Sequence, residues 1–152
     1  MSQRRLWMLA ILLVAVCLGA VREFLFLNLN YSIDHLANHR EFSYAHSAFQ
    51  RAVEGLSLAD LLLLKWALAI LFVGLMAGLS VLLARVLFND HRYRARILIG
   101  FVAIGLLALL LHLAGPAFPA LEGVSVKLLH LLQYPVILFF IWAGALLQPA
   151  KA

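Results

Sequence analysis

Four long apolar runs, separated by short polar turns and one polar island, set the pattern of this chain. The runs begin at Leu6, Leu58, Ile97 and Val124. About 20 apolar residues are enough to cross the hydrocarbon of a bilayer as a helix. Lipid offers no partner for backbone N–H and C=O groups, so a spanning segment satisfies them internally. The pattern therefore predicts an all-α membrane protein with four transmembrane helices, at about 6–27, 58–88, 97–115 and 124–148, in a single integral membrane domain over 1–152. Between the first two helices, residues 28–57 form a short amphipathic extracytoplasmic segment.

The island itself runs from Arg22 to Ser57 and carries four of the seven acidic residues (Glu23, Asp34, Glu41, Glu54) and three of the six histidines (His35, His39, His46). Ile33, Leu36 and Ala37 repeat at helical spacing, as do Ala45, Ala48, Phe49, Ala52, Val53 and Leu56. Two short amphipathic helices at the membrane surface are expected from that spacing. The rings of Phe24, Phe26, Tyr31, Phe42, Tyr44 and Phe49 suit the headgroup region.

Local signals place the helix ends. Ser57 with Asp60 three residues on fits a capping-box variant that starts the second helix near Leu58. That helix would be about 46 Å long at 1.5 Å per residue, so its ends must tilt or project. Within it Gly74 and Gly78 form a GxxxG pair, expected to let another helix approach closely. Pro116 closes the third helix. Pro135 removes a hydrogen bond within the fourth and is expected to kink it. At the start of the chain, Arg4 and Arg5 precede the apolar run from Leu6 to Val21 in the manner of a secretory signal. Gly19 and Ala20 make a poor cleavage site, so the segment is read as a retained anchor.

Composition sharpens the picture. Hydrophobic residues make up 65% of the chain and charged residues 12%, against roughly a quarter charged in soluble domains. One set of turns carries Arg4, Arg5, Arg85, Arg92, Arg94, Arg96 and Lys151 with a single acid, Asp90. The other side has five cations against six acids. Cations collect in short cytoplasmic loops, so both termini are expected in the cytoplasm of a bacterial inner membrane. The net charge of +5 is then a topology signal, and nucleic-acid binding does not follow from it. The partners expected are membrane lipid and another membrane protein.

Candidate chemistry is sparse. His35 and His39, four residues apart, are weak candidates for a metal site; HLANH lacks the glutamate of a zinc protease. No cofactor is implied. Cys17 lies in an apolar run with no base beside it and reads as a small buried hydrophobe rather than a nucleophile. Threading the helices in alternating directions does bring Arg22, Glu23, Asp60, Lys65, His112, His130 and Gln133 to similar depth in the outer leaflet. Ionisable groups there tend to pair or to face a cavity, so these seven are the candidates for contact with a partner.

Three stretches give the chain a family likeness. VREFLF closes the first helix, VLF and an Asn-Asp turn close the second, and QYPVILFFIWA lies in the last. In this order of features the chain resembles the exosortase-associated small multi-pass membrane proteins of Bacteroidota, of the X or F type. The F-type pattern has an arginine pair before the final span where this chain has His130 and Leu131, which makes the X type the nearer. The resemblance implies a non-enzymatic accessory role in protein sorting or envelope export. The exosortase's own catalytic Cys, Arg and His have no counterpart to carry over. A small membrane carrier or ion-handling subunit is the alternative, and it would need a polar path through the cytoplasmic half.

Overall fold

The structure, a computed structural model, describes residues 3–88 and 92–147. Its elements are α1 (Gln3–Ala37), α2 (Ser47–Ala52), α3 (Leu58–Phe88), α4 (Arg92–Ala114), α5 (Pro119–Gln133) and α6 (Val136–Leu146). Every regular element among the described residues is a helix. Helices α1, α3 and α4 are each long and apolar enough to cross a membrane, and α5 with α6 makes a fourth if the bent pair is one span. Of the expected basic turn over 89–96, residues 92–96 belong to α4, while 89–91, the expected end of the last helix at Gln148 and the tail with Lys151 lie outside the described residues.

The longest apolar helix, α3, is the centre of the bundle and packs against α1, α4, α5 and α6. Its buried face carries Met76, Ala77 and Leu83, which meet Leu12 and Ala15 of α1, Phe101 of α4, Leu132 of α5 and Leu138 of α6. On α4, by contrast, only Phe101 and Ala108 are buried. Most of that helix faces outward, as a lipid-facing span requires. Cys17 also faces outward, which corrects its reading as a buried hydrophobe: in a bundle this thin, apolar runs have more surface than neighbours.

Helix α1 does not end at Leu27. It continues to Ala37, so the first of the two expected surface helices is its extension. The polar residues that end the apolar run bond back onto the helix: Asn28 Nδ2 donates to the Phe24 carbonyl (2.7 Å) and Ser32 Oγ to that of Asn28 (3.1 Å). At the true end, the Arg40 amide donates to the His35 carbonyl (3.1 Å), and His39 sits at φ 49°. This is a Schellman closure with a left-handed residue just past the helix.

The second surface helix is present as α2. Ala45 and Phe49 pack it onto Leu29 and Leu61, the facing residues of α1 and α3. His46 Nδ1 accepts from the Ala48 amide at its N-terminus (3.2 Å), and the His46 amide donates to Asn28 Oδ1 (2.6 Å). The island is thus a lid latched onto one end of the α1–α3 pair.

At the start of α3, Ser57 Oγ accepts from the Asp60 amide (3.2 Å) while Asp60 Oδ2 accepts from the Ser57 amide (3.0 Å) and hydroxyl (2.6 Å). Loss of the hydroxyl in Ser57→Ala should weaken this first turn by about 1 kcal/mol. Faster hydrogen–deuterium exchange over residues 58–61, with the rest of α3 unchanged, is the expected readout. Unchanged exchange there would mean that the box adds nothing.

Two helices start earlier than their apolar runs. α4 begins at Arg92 rather than Ile97, because arginine is a good helix former and its long side chain reaches water from a helix as easily as from a turn. Tyr93 rests against Phe88, ring centroids 4.6 Å apart. α5 begins at Pro119 rather than Val124, with proline in the first turn where its missing N–H costs nothing. At the α4–α5 corner Gly115 lies tight against its neighbours: a Cβ there would displace the Glu122 carboxylate and press on the His112 carbonyl at 3.0 Å.

The expected kink at Pro135 is a full break. Tyr134 is extended (φ −103°, ψ 160°), and α5 and α6 meet at 60°. Gly74 and Gly78 are exposed, and a Cβ at either would meet nothing within 4 Å. Among the described residues no helix packs on that face.

Candidate functional site

The break at Pro135 lies beside a buried charge. Arg22, 4% exposed, is held within the bundle near Gln133, which is fully buried. Arg22 Nε and Nη2 both donate to Gln133 Oε1 (3.0 and 2.8 Å). Its Nη1 donates to Tyr134 Oη (3.0 Å) and to Glu23 Oε2 (3.1 Å). Tyr134 Oη in turn donates to Glu23 Oε2. The flat guanidinium also lies against two rings, 4.4 Å from the Phe26 centroid and 4.9 Å from that of Tyr134.

This arrangement follows from the local sequence. Ending α5 at Gln133 frees Tyr134 from helical geometry, so its ring turns toward α1 and its hydroxyl reaches Glu23. Gln133, the last residue of α5, directs its carbonyl oxygen at Arg22 while its amide nitrogen points toward the Ala69 carbonyl of α3 (3.4 Å). Gly19, one turn before Arg22, faces this break, and a Cβ there would make ordinary contact with Pro135 Cδ (3.4 Å) and the Tyr134 ring (3.7 Å). An arginine fork suits the task better than a lysine, because it donates in several fixed directions at once.

Beside this knot is a cleft of about 220 Å³ between α1, α3 and α5, lined by Arg22, Glu23, Asn30, Lys65, Leu129 and His130 among others. Lys65 is half-buried. It makes no hydrogen bond or ion pair among the described residues. Glu122 is bound to His112 Nδ1 at 2.9 Å across the α4–α5 corner, with Trp66 edge-on to His112 (centroids 5.3 Å apart).

Of the seven residues expected at one depth, the fold brings Arg22, Glu23 and Gln133 into direct contact. Lys65 and His130 sit on the rim of the same cleft, and His112 forms a separate pair nearby. Asp60 is engaged in the cap of α3. Tyr134, Glu122 and Phe26 are the participants that sequence reasoning missed as site residues. The tyrosine carries a usable signal, since a polar aromatic immediately before a mid-span proline is released from the helix.

The weak metal candidates do not share a helical face. His39 lies past the end of α1 in the left-handed region, whereas His35 is within the helix, its Nδ1 buried without a hydrogen-bond partner. Among the described residues no three His, Cys, Asp or Glu side chains come together as a metal site. Chemically, the knot is a set of donors and acceptors already satisfied by one another. The open valence in the layer belongs to Lys65 and His130.

No family model, curated protein or solved structure matches the chain.

Proposed function

We propose that this chain is a non-enzymatic accessory of an exosortase-type protein-sorting or envelope-export system in a bacterial inner membrane. In this reading it spans the membrane four times, with α5 and α6 as one broken span, both termini cytoplasmic and the lid outside. The observation that carries the reading is how the outer polar groups are used. Arg22, Glu23, Gln133 and Tyr134 satisfy one another and hold the fold, with no nucleophile facing a base among them. Lys65 is left on the cleft without an ionic partner, and a charge at that depth favours a protein or water contact over lipid. Lys65 and His130 are therefore the residues that meet the partner.

The carrier alternative is disfavoured by the core. Between the knot and the arginine-rich end the packed interior consists of Leu12, Ala15, Met76, Ala77, Leu83, Phe101, Leu132 and Leu138. Ser80 is the buried polar side chain of α3, and its hydroxyl has no partner. An ion pathway needs more than one such group.

Two measurements test the proposal together. Reporter fusions after Leu56 should behave as extracytoplasmic and those after Arg94 as cytoplasmic. Native-level purification should bring down a sorting enzyme of the membrane, and the double variant Lys65→Ala/His130→Ala should lower its recovery at least about fivefold, the scale of one lost charge contact. A cytoplasmic signal at Leu56 would overturn the topology. Wild-type recovery with the double variant, or loss of the chain itself from the membrane, would remove the assigned contact.

A further inference from the structure

The opposite end of the bundle carries a feature that the accessory role does not use. Arg4, Arg5, Arg85, Arg92, Arg94 and Arg96 are gathered there, while the described acids, Glu23, Asp34, Glu41, Glu54, Asp60 and Glu122, all belong to the lid end or its neighbouring turns. Arg4 is engaged: its Nε donates to the Val86 carbonyl (2.8 Å) and its Nη2 to that of Leu87, closing the C-terminus of α3. Arg85 and Arg94 are not. They come from different helices, line one cavity of about 450 Å³ between α3 and α4, and make no hydrogen bond or ion pair among the described residues.

The rest of that cavity is apolar: Gly78, Val81, Leu82, Ala84 and Leu98. Gly74, Gly78, Leu82 and Arg85 lie at spacings of four, four and three, hence on one face of α3. Beyond the cavity, open space over both glycines leaves this face of α3 unobstructed from the arginines toward mid-helix. From Arg85 to Gly74 this face runs about 16 Å at 1.5 Å per residue, close to the half-thickness of bilayer hydrocarbon of about 15 Å. That is the length of one leaflet.

We infer that the groove between α3 and α4 is a binding site for an anionic phospholipid, its phosphodiester held between Arg85 and Arg94 and one acyl chain lying over Gly78 and Gly74. Two guanidinium forks match the oxygens of a phosphate, and the contacts are charge-assisted. Basic pockets between membrane helices are a known kind of headgroup site. A free phosphate would satisfy the arginines but would leave the apolar groove empty, so the groove selects the lipid as the source of the anion. The site also gives the GxxxG face an occupant that no helix among the described residues supplies.

The test uses the full chain purified in neutral detergent, with bound lipid counted by native mass spectrometry after exposure to equal amounts of phosphatidylglycerol and phosphatidylcholine. The wild type should retain one phosphatidylglycerol in preference to phosphatidylcholine. R85Q/R94Q should reduce that retention by at least about tenfold, the scale of one lost charge-assisted bond. R5Q/R96Q removes the same charge from the same end without touching the cavity, and should retain the lipid. G78L fills the groove while leaving both arginines, on a face where a side chain meets nothing, and should also lose retention.

Equal retention of the two lipids would overturn the site. So would an equal loss in R5Q/R96Q, which would reduce it to general surface charge. Displacement of phosphatidylglycerol by millimolar inorganic phosphate, or full retention in G78L, would show that the groove does not hold a chain.

Discussion

Gln133→Leu, which places an apolar side chain in an apolar bundle, is expected to destabilise the protein by about 3 kcal/mol, and adding Arg22→Met to recover most of that loss. The asymmetry comes from which group is left behind. Gln133 is fully buried and accepts two guanidinium hydrogen bonds at 3.0 and 2.8 Å. Hydrogen bonds to charged groups contribute about 1.5–3 kcal/mol each, and a stranded charge also keeps its desolvation penalty. Neutral interhelical hydrogen bonds in membranes are weaker, about 0.6 to 2 kcal/mol, so an ordinary Gln-to-Leu change would cost less.

Arg22→Met alone removes the charge together with its need for partners, and its unbranched stem still fills the space beside Phe26 and Tyr134. It should be milder than Gln133→Leu. Unfolding of the four proteins in mixed detergent–denaturant micelles, read by circular dichroism, checks the cycle. If the double variant is as unstable as the two single losses added together, the knot is not one coupled unit. If Gln133→Leu is neutral, Arg22 finds water on its own, and the knot has no role in stability.

The same contrast between apolar patterning and polar partnership shows how far the sequence could be read. The second span was legible: its apolar run and the Ser57–Asp60 box mark one helix, and α3 (Leu58–Phe88) occupies it. Pro135 likewise marked the break. Hydropathy reports where lipid-soluble residues stop, however, and a helix has no obligation to stop with them. Thus α1 runs ten residues past Leu27, because Asn28 and Ser32 bond to their own helix and Leu29 packs under the lid. α4 and α5 begin with residues that suit a helix but not hydrocarbon.

The candidate site was legible as a set of depths and not as a set of contacts. Similar depth gathered Arg22, Glu23 and Gln133, which do meet. It equally gathered Asp60, whose carboxylate caps a helix, and His112, whose partner Glu122 lies in the next element. The spacing of His35 and His39 presumed a helix through both, and the left-handed turn at His39 separates them. For Gly74 and Gly78, spacing identified a smooth face but carried no information on what lies against it. Within one chain, small residues are equally compatible with a packed neighbour and with an open groove.

The lid should come off separately from the bundle, and Phe49→Ala is the change expected to release it. Phe49 is 8% exposed and is the large apolar residue of α2, packing with Leu29, Ala45 and Leu61. Truncating a buried phenylalanine costs about 3–5 kcal/mol. The remaining ties are modest by comparison: the His46 amide on Asn28 Oδ1 at 2.6 Å, the Gln50 amide on the Ser43 and Ala45 carbonyls at 3.1 and 2.7 Å, and an exposed Arg40–Asp34 pair at 2.9 Å. Neutral bonds contribute about 1 kcal/mol each and exposed ion pairs less. A loss of about 3 kcal/mol corresponds to at least a hundredfold rise in the open population. Trypsin cleavage after Arg51, when opening is fast relative to cutting, should accelerate by that factor. Helix content and the unfolding midpoint of the bundle should stay near wild type, because Phe49 belongs to a cluster separate from the one that joins α1, α3, α4, α5 and α6. Cleavage after Arg51 at the wild-type rate would mean that the polar latch holds the lid without its ring. A parallel loss of bundle stability would mean that lid and bundle fold as one unit.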